Sequence, residues 1–318
     1  MKLLVTVDTE EDNWGTFLPV GATVENLARL PRLQELFDSC QVRPTYLVTY
    51  PVVTDRGAIS ILRGLLETGR CEVGMHCHPW NTPPFEEETN ERNSMLCNLP
   101  EQLQYRKMEC LHEAIVKNLG IVPRCFRAGR WGFGQTVGAN LHKLGYEVDS
   151  SISPFMDWSE HFGPDFSDRF PIPYRFSSHD AFRECPSGAM VEVPITIGFA
   201  QKDFARCNRL LKRLMKSRLR RLKAVGILYK LRLLNRIWLS PEISCTREMK
   251  RLTLTMAANN YRLLNLTFHS PATVPGLSPF VKTPEEEQRF LQRTRDYLSF
   301  ARENGIDSIV LSRAIDLV

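Results

Sequence analysis

Short apolar runs alternate with amphipathic helical patterns over the first half of the chain, and this alternation constrains the fold more than any other feature. Strands are predicted at 3–7, 44–50, 71–78, 125–129 and 146–151. Helices are predicted between them at 26–39, 58–67, 101–119 and 135–144. Strands alternating with helices of this length are typical of parallel strands joined by crossover connections. The sequence therefore predicts an α/β fold, either an open doubly wound sheet or a barrel.

The second half continues this pattern after an interruption. Further strands are predicted at 190–195, 262–268 and 308–312, and a helix at 285–303 that stops at Asn304-Gly305. Between about 200 and 260 the pattern is helical and interrupts the alternation like an insertion. We therefore expect one domain over 1–318, with a basic helical insertion at about 202–260.

Polar clusters follow the predicted strands at the points where the strands end. They are Asp8–Asp12, His76–His78, Arg127–Trp131, Asp149 and His269–Ser270. In parallel α/β folds the carboxyl ends of the strands converge on one face, where functional sites are built. Five clusters at the same kind of position predict a single site.

The first cluster offers a pair of carboxylates. Side chains alternate along an extended chain, so Asp8 and Glu10 project to the same side. Two carboxylates can divide the work of binding a cation and accepting a proton. A solvated acidic loop or a helix cap is the alternative that this cluster alone leaves open.

The second cluster holds two histidines at positions i and i+2. On a strand His76 and His78 share a face, roughly 6.6 Å apart at Cα, and both can reach one metal ion. Cys77 points the opposite way and is not counted as a ligand. With a carboxylate from another strand they form a two-histidine, one-carboxylate set that leaves coordination positions open. A hydrogen-bonded structural pair is the alternative.

Arg127 and His269 also follow predicted strands. Arg127 can orient a carboxylate bidentately, and Trp131 can form a pocket wall beside it. A surface turn with solvated arginines is the alternative. His269, at the end of an apolar strand, can act as general acid for a departing amine, or be structural.

Taken in chain order, these segments resemble the five motifs of the polysaccharide deacetylase family, carbohydrate esterases homologous to chitooligosaccharide deacetylases. The matching segments are Val7–Glu10, Glu72–His76 with His78-Pro79, Phe126–Gly132, Tyr146–Ser151 and Leu266–Ser270. Within that family, H-x-H-P-W together with H-S-P and P-G-L-S-P-F is most similar to the branch encoded with exopolysaccharide genes. The resemblance covers residue 3 to about 310.

The resemblance implies a distorted (β/α) barrel of about seven parallel strands and a bound divalent metal, with zinc as the expected ion. It implies that Asp8 is the general base, that Arg127 keeps Asp8 ionised, and that His269 is the general acid. His76 and His78 become metal ligands. The sequence departs from the family in the spacing of these histidines and in the second acidic position of the first motif, which leaves Glu10 or Asp12 as the carboxylate ligand. We prefer Glu10, because alternation puts it beside Asp8.

The family implies removal of an N-acetyl or similar acyl group from an amino sugar in a polysaccharide or glycolipid precursor. Two alternatives stay open, a metal-independent amidohydrolase or deformylase on another amide, and a catalytically inactive carbohydrate-binding protein. Trp80, Trp131 and Asp149 are the predicted substrate-binding residues. Further aromatic residues that could stack on sugars are Phe155, Trp158 and Phe280.

Composition bears on location. The 318 residues include nine scattered cysteines without a CxxC pair, which favours a reducing compartment. We find no signal peptide and no apolar run approaching the roughly 18 residues that cross a bilayer. A cytoplasmic location is expected.

The net charge of +5 conceals one strongly basic segment. Thirteen Lys or Arg and one acid lie between Lys202 and Trp238, and from Arg206 onwards they interleave with leucines in an amphipathic helical pattern. Such a helix can pack on the barrel or bind the inner face of an anionic membrane or a phosphate-bearing glycolipid. Nucleic acid is not expected as a partner, because 206–228 lacks aromatic residues and no nucleic-acid motif is present.

Overall fold

The computed structural model describes residues 1–216, 226, 228, 231 and 233–318. The strands in this part are β1 (Lys2–Thr9), β2 (Thr45–Val48), β3 (Glu72–Cys77), β4 (Cys125–Ala128), β5 (Val148–Asp149), β6 (Tyr174–Phe176), β7 (Met190–Glu192), β8 (Ile197–Phe199), β9 (Arg236–Trp238), β10 (Leu263–His269) and β11 (Asp307–Ser308). The α-helices are α1 (Leu30–Ser39), α2 (Tyr50–Thr54), α3 (Arg56–Glu67), α4 (Glu101–Leu119), α5 (Gln135–Lys143), α6 (Phe204–Lys216), α7 (Thr246–Ala258) and α8 (Pro284–Glu303).

The main sheet runs in the order β10-β1-β2-β3-β4-β5-β7-β6, and β11 pairs with β1. Seven strands of this path are parallel, and β6 joins its edge antiparallel to β7. The segments that follow β7 and β9 approach β10, because Thr196 N donates to Asn265 O at 3.1 Å and Thr267 N to Leu239 O at 3.1 Å. The sheet therefore curls into a distorted half barrel, and the predicted α/β barrel of about seven parallel strands is confirmed.

Strand β1 explains how the barrel combines a core with a polar site. Leu3, Val5 and Val7 belong to the main apolar core. The alternate residues Leu4, Thr6 and Asp8 share the other face of the strand. Leu4 lies in a second apolar cluster with one residue from each of several neighbouring strands, namely Leu47, Cys125, Val148, Val191 and Leu263. The concave face of the sheet is thus apolar at its floor and becomes polar towards the carboxyl ends of the strands.

Most predicted elements are present, with differences where short segments pair over long distances. The helix predicted at 101–119 is α4 with the same bounds, and Pro31 stands at the start of α1 after a 3₁₀ turn at Glu25–Arg29. The segment predicted as helical at about 200–260 contains α6 and α7, but the prediction was wrong at β9, which pairs antiparallel with β8. The strand predicted at 308–312 is strand only at β11 and continues as a 3₁₀ helix at Leu311–Leu317.

The predicted basic helix continues beyond Lys216. Its residues 217–225 lie outside the described residues. In the described part of the chain, helices of sufficient length to cross a bilayer lack the apolar character that a crossing requires.

Candidate active site

Six predicted site residues come together at the carboxyl ends of four strands and just beyond them. They are Asp8 on β1 and Glu10 just after it, His76 on β3 and His78 just after it, Arg127 on β4, and His269 on β10. The strand register sets Asp8 opposite His269, and His76 opposite Arg127. All of these side chains are buried except that of His269, which is 21% exposed. Parallel pairing therefore brings residues from positions 8 to 269 into one cluster.

Glu10, His76 and His78 offer three ligand atoms that lie within 4.8 Å of one another. The Nδ1 atoms of His76 and His78 lie 3.0 Å from Arg127 O and 2.8 Å from Glu11 Oε1. Because these partners are acceptors, each Nδ1 donates, and Nε2 is the ring nitrogen whose lone pair can bind a metal ion. The two Nε2 atoms face each other at 3.0 Å, with Glu10 Oε2 3.6 and 3.3 Å away. Lone pairs and a carboxylate that converge in this way repel one another unless a cation lies between them, so the donor set fits a metal ion.

Asp12, the alternative carboxylate ligand, instead accepts hydrogen bonds from the start of a helical turn. Its carboxylate accepts hydrogen bonds from Glu25 N at 2.6 Å, from Asn26 N at 3.1 Å and from Asn26 Nδ2 at 2.6 Å. These bonds satisfy free N–H groups at the start of the first helical turn. Glu10, rather than Asp12, lies with the two histidines.

Arg127 is fully buried and pairs with Asp8, with 2.5 Å between Nη1 and Asp8 Oδ1. Its guanidinium makes four further hydrogen bonds, to Thr6 Oγ1, Thr267 Oγ1, and the carbonyl and hydroxyl oxygens of Ser150. Burial opposes the charge on Asp8, but Arg127, His76 and His269 together outweigh burial and lower the pKa of this carboxyl below its usual value. A fully bonded buried arginine thus keeps a buried carboxylate ionised.

Glu242 is a site residue that sequence reasoning missed. It lies between β9 and α7, and its carboxylate accepts from His269 N at 2.9 Å and faces His269 Nδ1 at 3.0 Å. Burial lowers the pKa of His269, but Glu242, Glu10 and Asp8 outweigh it and raise this pKa to about 10. His269 is therefore a charged imidazolium at neutral pH, and its Nε2 lies 3.7 Å from Asp8 Oδ2.

The charges of the cluster favour a divalent cation. Its buried carboxylates are Asp8, Glu10, Glu11 and Glu242. Only Arg127 and His269 oppose these four among the charged groups described above. In the protein without a bound cation, burial, Glu11 and Asp8 raise the pKa of Glu10 to about 8. A further double positive charge would balance the cluster and ionise Glu10.

The predicted substrate-binding residues have different surroundings. Trp80 stacks on His78, with ring centroids 4.1 Å apart and an interplanar angle of 26°, and is 8% exposed. Trp131, at a φ of 62°, lies 5.6 Å from the Arg127 guanidinium. Asp149 is fully buried, accepts a hydrogen bond from Ser151 Oγ at 2.6 Å and stands opposite Glu192 in register. The structure brings Trp80 and Trp131 to the site, whereas Asp149 contacts Ser151 and Glu192.

Two of the other aromatic candidates pack within the protein. Phe155 is buried against Phe170, Phe199 and Phe204, so its ring is part of the core. Trp158 donates from Nε1 to Ser153 Oγ at 2.8 Å.

Comparison with known proteins identifies the fold. No family model matches the sequence, and no curated protein matches it. A candidate polysaccharide deacetylase from Mycobacterium smegmatis is 14% identical, with a TM-score of 0.57 over 100% of this chain and 90% of that chain. A candidate glycoside hydrolase or deacetylase from Parabacteroides distasonis is 11% identical, with a TM-score of 0.61 over 99% and 71%. A 4-α-glucanotransferase from Thermococcus litoralis is 12% identical, with a TM-score of 0.51 over 100% and 38%. The chain therefore has the fold of the polysaccharide deacetylases, as the resemblance of its motifs predicted.

Proposed function

We propose that the chain is a metal-dependent hydrolase that removes N-acetyl or similar acyl groups from an amino sugar in a polysaccharide or glycolipid precursor. One observation carries the proposal: Asp8, a buried carboxylate paired with Arg127, lies 3.7 Å from His269 Nε2, in the same cluster as the three-ligand set of Glu10, His76 and His78. Amide hydrolysis needs a base for the attacking water and an acid for the leaving nitrogen. The fold and the order of the five motifs support the same activity.

In this proposal each residue has one role. Glu10, His76 and His78 hold a divalent ion, with zinc as the expected metal, which when bound supplies Lewis-acid polarisation of the acyl carbonyl. Asp8 accepts a proton from the attacking water, and Arg127 keeps it ionised and oriented. His269 donates its Nε2 proton to the departing nitrogen, after which the amine can leave.

The surrounding residues position these groups. Glu11 and the carbonyl of Arg127 fix the rings of His78 and His76 through Nδ1, as second partners of metal-binding histidines do. Trp80 packs on His78, and Trp131 stays our candidate for the substrate wall. A substrate contact by Asp149 stays a prediction.

The experiment measures metal content and acetate release with chitotetraose as substrate. The wild-type chain is expected to hold about one divalent ion and to release acetate. The double variant His76→Ala/His78→Ala should lose both while its circular dichroism spectrum stays native. The matched control, His142→Ala/His179→Ala, removes two exposed histidines and should keep both.

Other outcomes would favour the alternatives. A metal-free wild type that still hydrolyses the amide would indicate a metal-independent amidohydrolase or deformylase. A folded wild type that binds the sugar without hydrolysing it would indicate an inactive carbohydrate-binding protein.

We also infer a cytoplasmic location and one domain over 1–318, with 202–260 as its insertion. All nine cysteines are unpaired, which suits a reducing compartment. Helix α6 exposes Arg206, Arg209 and Arg213 together with Leu210 and Met215, which are 45% and 47% exposed. Exposed cations beside apolar side chains support peripheral contact of 202–238 with an anionic membrane surface or glycolipid.

A further inference from the structure

Two aromatic rings flank His269, whose side chain is the most exposed of the six clustered residues at 21%. The Trp14 ring stands perpendicular to the imidazole, with centroids 4.6 Å apart. The Phe280 ring lies nearly parallel to the imidazole at 6.2 Å and contacts Trp14 at 5.5 Å. A group that binds at His269 therefore lies beside Trp14 and Phe280.

Trp14 belongs to residues 13–23, which we call the 13–23 loop. Hydrogen bonds join the two ends of this loop. Asp12 N donates to Thr23 O at 2.9 Å, and Thr23 N donates to Asn13 Oδ1 at 3.0 Å. Trp14 N donates to Asp12 O at 2.9 Å, directly beside these bonds. Trp14 is thus held at the fixed base of the loop, next to the acidic cluster that ends β1.

Phe17, in the same loop, contacts Trp80 and Arg130. Its ring lies 5.2 Å from that of Trp80, which stacks on His78, and the Arg130 guanidinium lies over it at 5.2 Å. The 13–23 loop therefore extends from the His78 side of the cluster to the His269 side. Contacts at both ends define the position of Trp14 relative to the reacting groups.

Trp14 keeps more free surface than the other aromatic residues near the site, of which Phe17, Trp131 and Phe280 are half-buried. It is 38% exposed, whereas Trp80 is 8% exposed and has one face covered by His78. An exposed indole with a fixed position can stack on the apolar face of a sugar ring at low cost in conformational entropy.

We propose that Trp14 is the stacking surface for the sugar ring whose amide nitrogen reaches His269. This inference rests on the proposed function. In an N-acylated amino sugar the nitrogen is bonded directly to a ring carbon. When that nitrogen comes within hydrogen-bond reach of His269 Nε2, about 3 Å, the ring must lie beside the aromatic side chains next to the imidazole. The substrate class is thus an amide whose nitrogen carries a pyranose ring, and Trp14 is the residue that distinguishes it from a simple alkyl amide.

The test compares two substrates and three substitutions. Chitotetraose presents the sugar ring, and N-acetylethanolamine presents the same acetamide without it. Trp14→Ala removes the ring, Trp14→Leu keeps apolar volume without a π face, and Trp14→Phe keeps a smaller aromatic face. Leu18→Ala is the matched control, because Leu18 lies in the same loop with the same 38% exposure. Binding is measured by calorimetry, hydrolysis by acetate release, and metal content by elemental analysis.

We expect Trp14→Ala and Trp14→Leu to weaken chitotetraose binding and raise its KM about 3- to 10-fold, the range of one aromatic contact. Trp14→Phe should lie between these variants and wild type, while Leu18→Ala matches wild type. Metal content should match wild type in every variant, and Trp14→Ala and Trp14→Leu should lower N-acetylethanolamine turnover less than they weaken chitotetraose binding.

Equal chitotetraose binding by wild type and Trp14→Leu, or equal losses on both substrates, would overturn the assignment. So would a wild type that does not bind chitotetraose. Failure of the proposed function gives a different result: wild type binds chitotetraose, Trp14→Leu binds it more weakly, and neither releases acetate.

Discussion

Replacing Glu242 by glutamine tests whether His269 is held as a charged acid. The Glu242 carboxylate accepts from both the backbone N–H of His269 and its Nδ1–H, at 2.9 and 3.0 Å. A glutamine has one carbonyl oxygen for these two donors, and its amide group would face the other. The substitution therefore removes a negative charge and leaves one donor without its acceptor, at almost unchanged side-chain volume.

The magnitude follows from this hydrogen bond. A hydrogen bond to a charged group contributes about 1.5–3 kcal/mol, and 1.36 kcal/mol corresponds to one pKa unit. The pKa of His269, raised to about 10 in the wild type, should therefore fall by about 1 to 2 units. Asp8 and Glu10 still favour the charged ring, so the pKa should stay above the usual value of histidine.

Two measurements follow this change. Nuclear magnetic resonance of labelled His269 gives its pKa directly, and the alkaline limb of the kcat profile on chitotetraose should move to lower pH by the same amount, because a general acid must be protonated. Glu242→Asp keeps the charge and should restore part of the shift, and Glu303→Gln is a distant exposed control. A His269 pKa within 0.5 unit of wild type in Glu242→Gln would refute the reasoning.

Sequence patterns could locate the site because its residues belong to periodic elements. Apolar runs mark the strands, parallel pairing collects their carboxyl ends, and period-two alternation puts Glu10 beside Asp8. The same alternation puts His76 and His78 on one face. The structure brings Arg127 and His269 to the same cluster, although 142 positions separate them along the chain.

Glu242 and Trp14 could not be found in this way, because neither position depends on a local repeat. Glu242 reaches His269 only because β9 pairs with β8 and the following segment lies against β10. Trp14 reaches His269 through the conformation of the 13–23 loop, which contacts with Asp12, Trp80 and Arg130 hold in place. Such contacts depend on tertiary structure, and composition near these residues carries no sign of them.

The error at 200–260 has a related cause. Strand β9 is three residues long, too short for alternation to distinguish it from a turn of helix. Its neighbours carry the basic amphipathic pattern, which dominates any window that includes it. The pairing with β8 decides the strand conformation and cannot be inferred from the residues themselves.

Two further predictions concern surface charge and a buried acid pair. The triple variant Arg206→Glu/Arg209→Glu/Arg213→Glu should abolish flotation with anionic liposomes, because it reverses the exposed charge of α6. The same change at the exposed residues Arg289, Arg295 and Arg302 of α8 should not abolish it. A wild type that floats with neither anionic nor neutral liposomes would contradict the membrane proposal. Burial raises the pKa of both Asp149 and Glu192, whose mutual hydrogen bond requires a shared proton. The native state then keeps a proton that the unfolded chain releases above about pH 4.5, so the free energy of unfolding should fall with rising pH by up to about 1.4 kcal/mol per unit until the raised pKa is reached. Glu192→Gln has no such proton to retain, and its unfolding free energy in urea should fall less steeply over the same range; equal slopes for wild type and variant would show that the pair does not hold the proton.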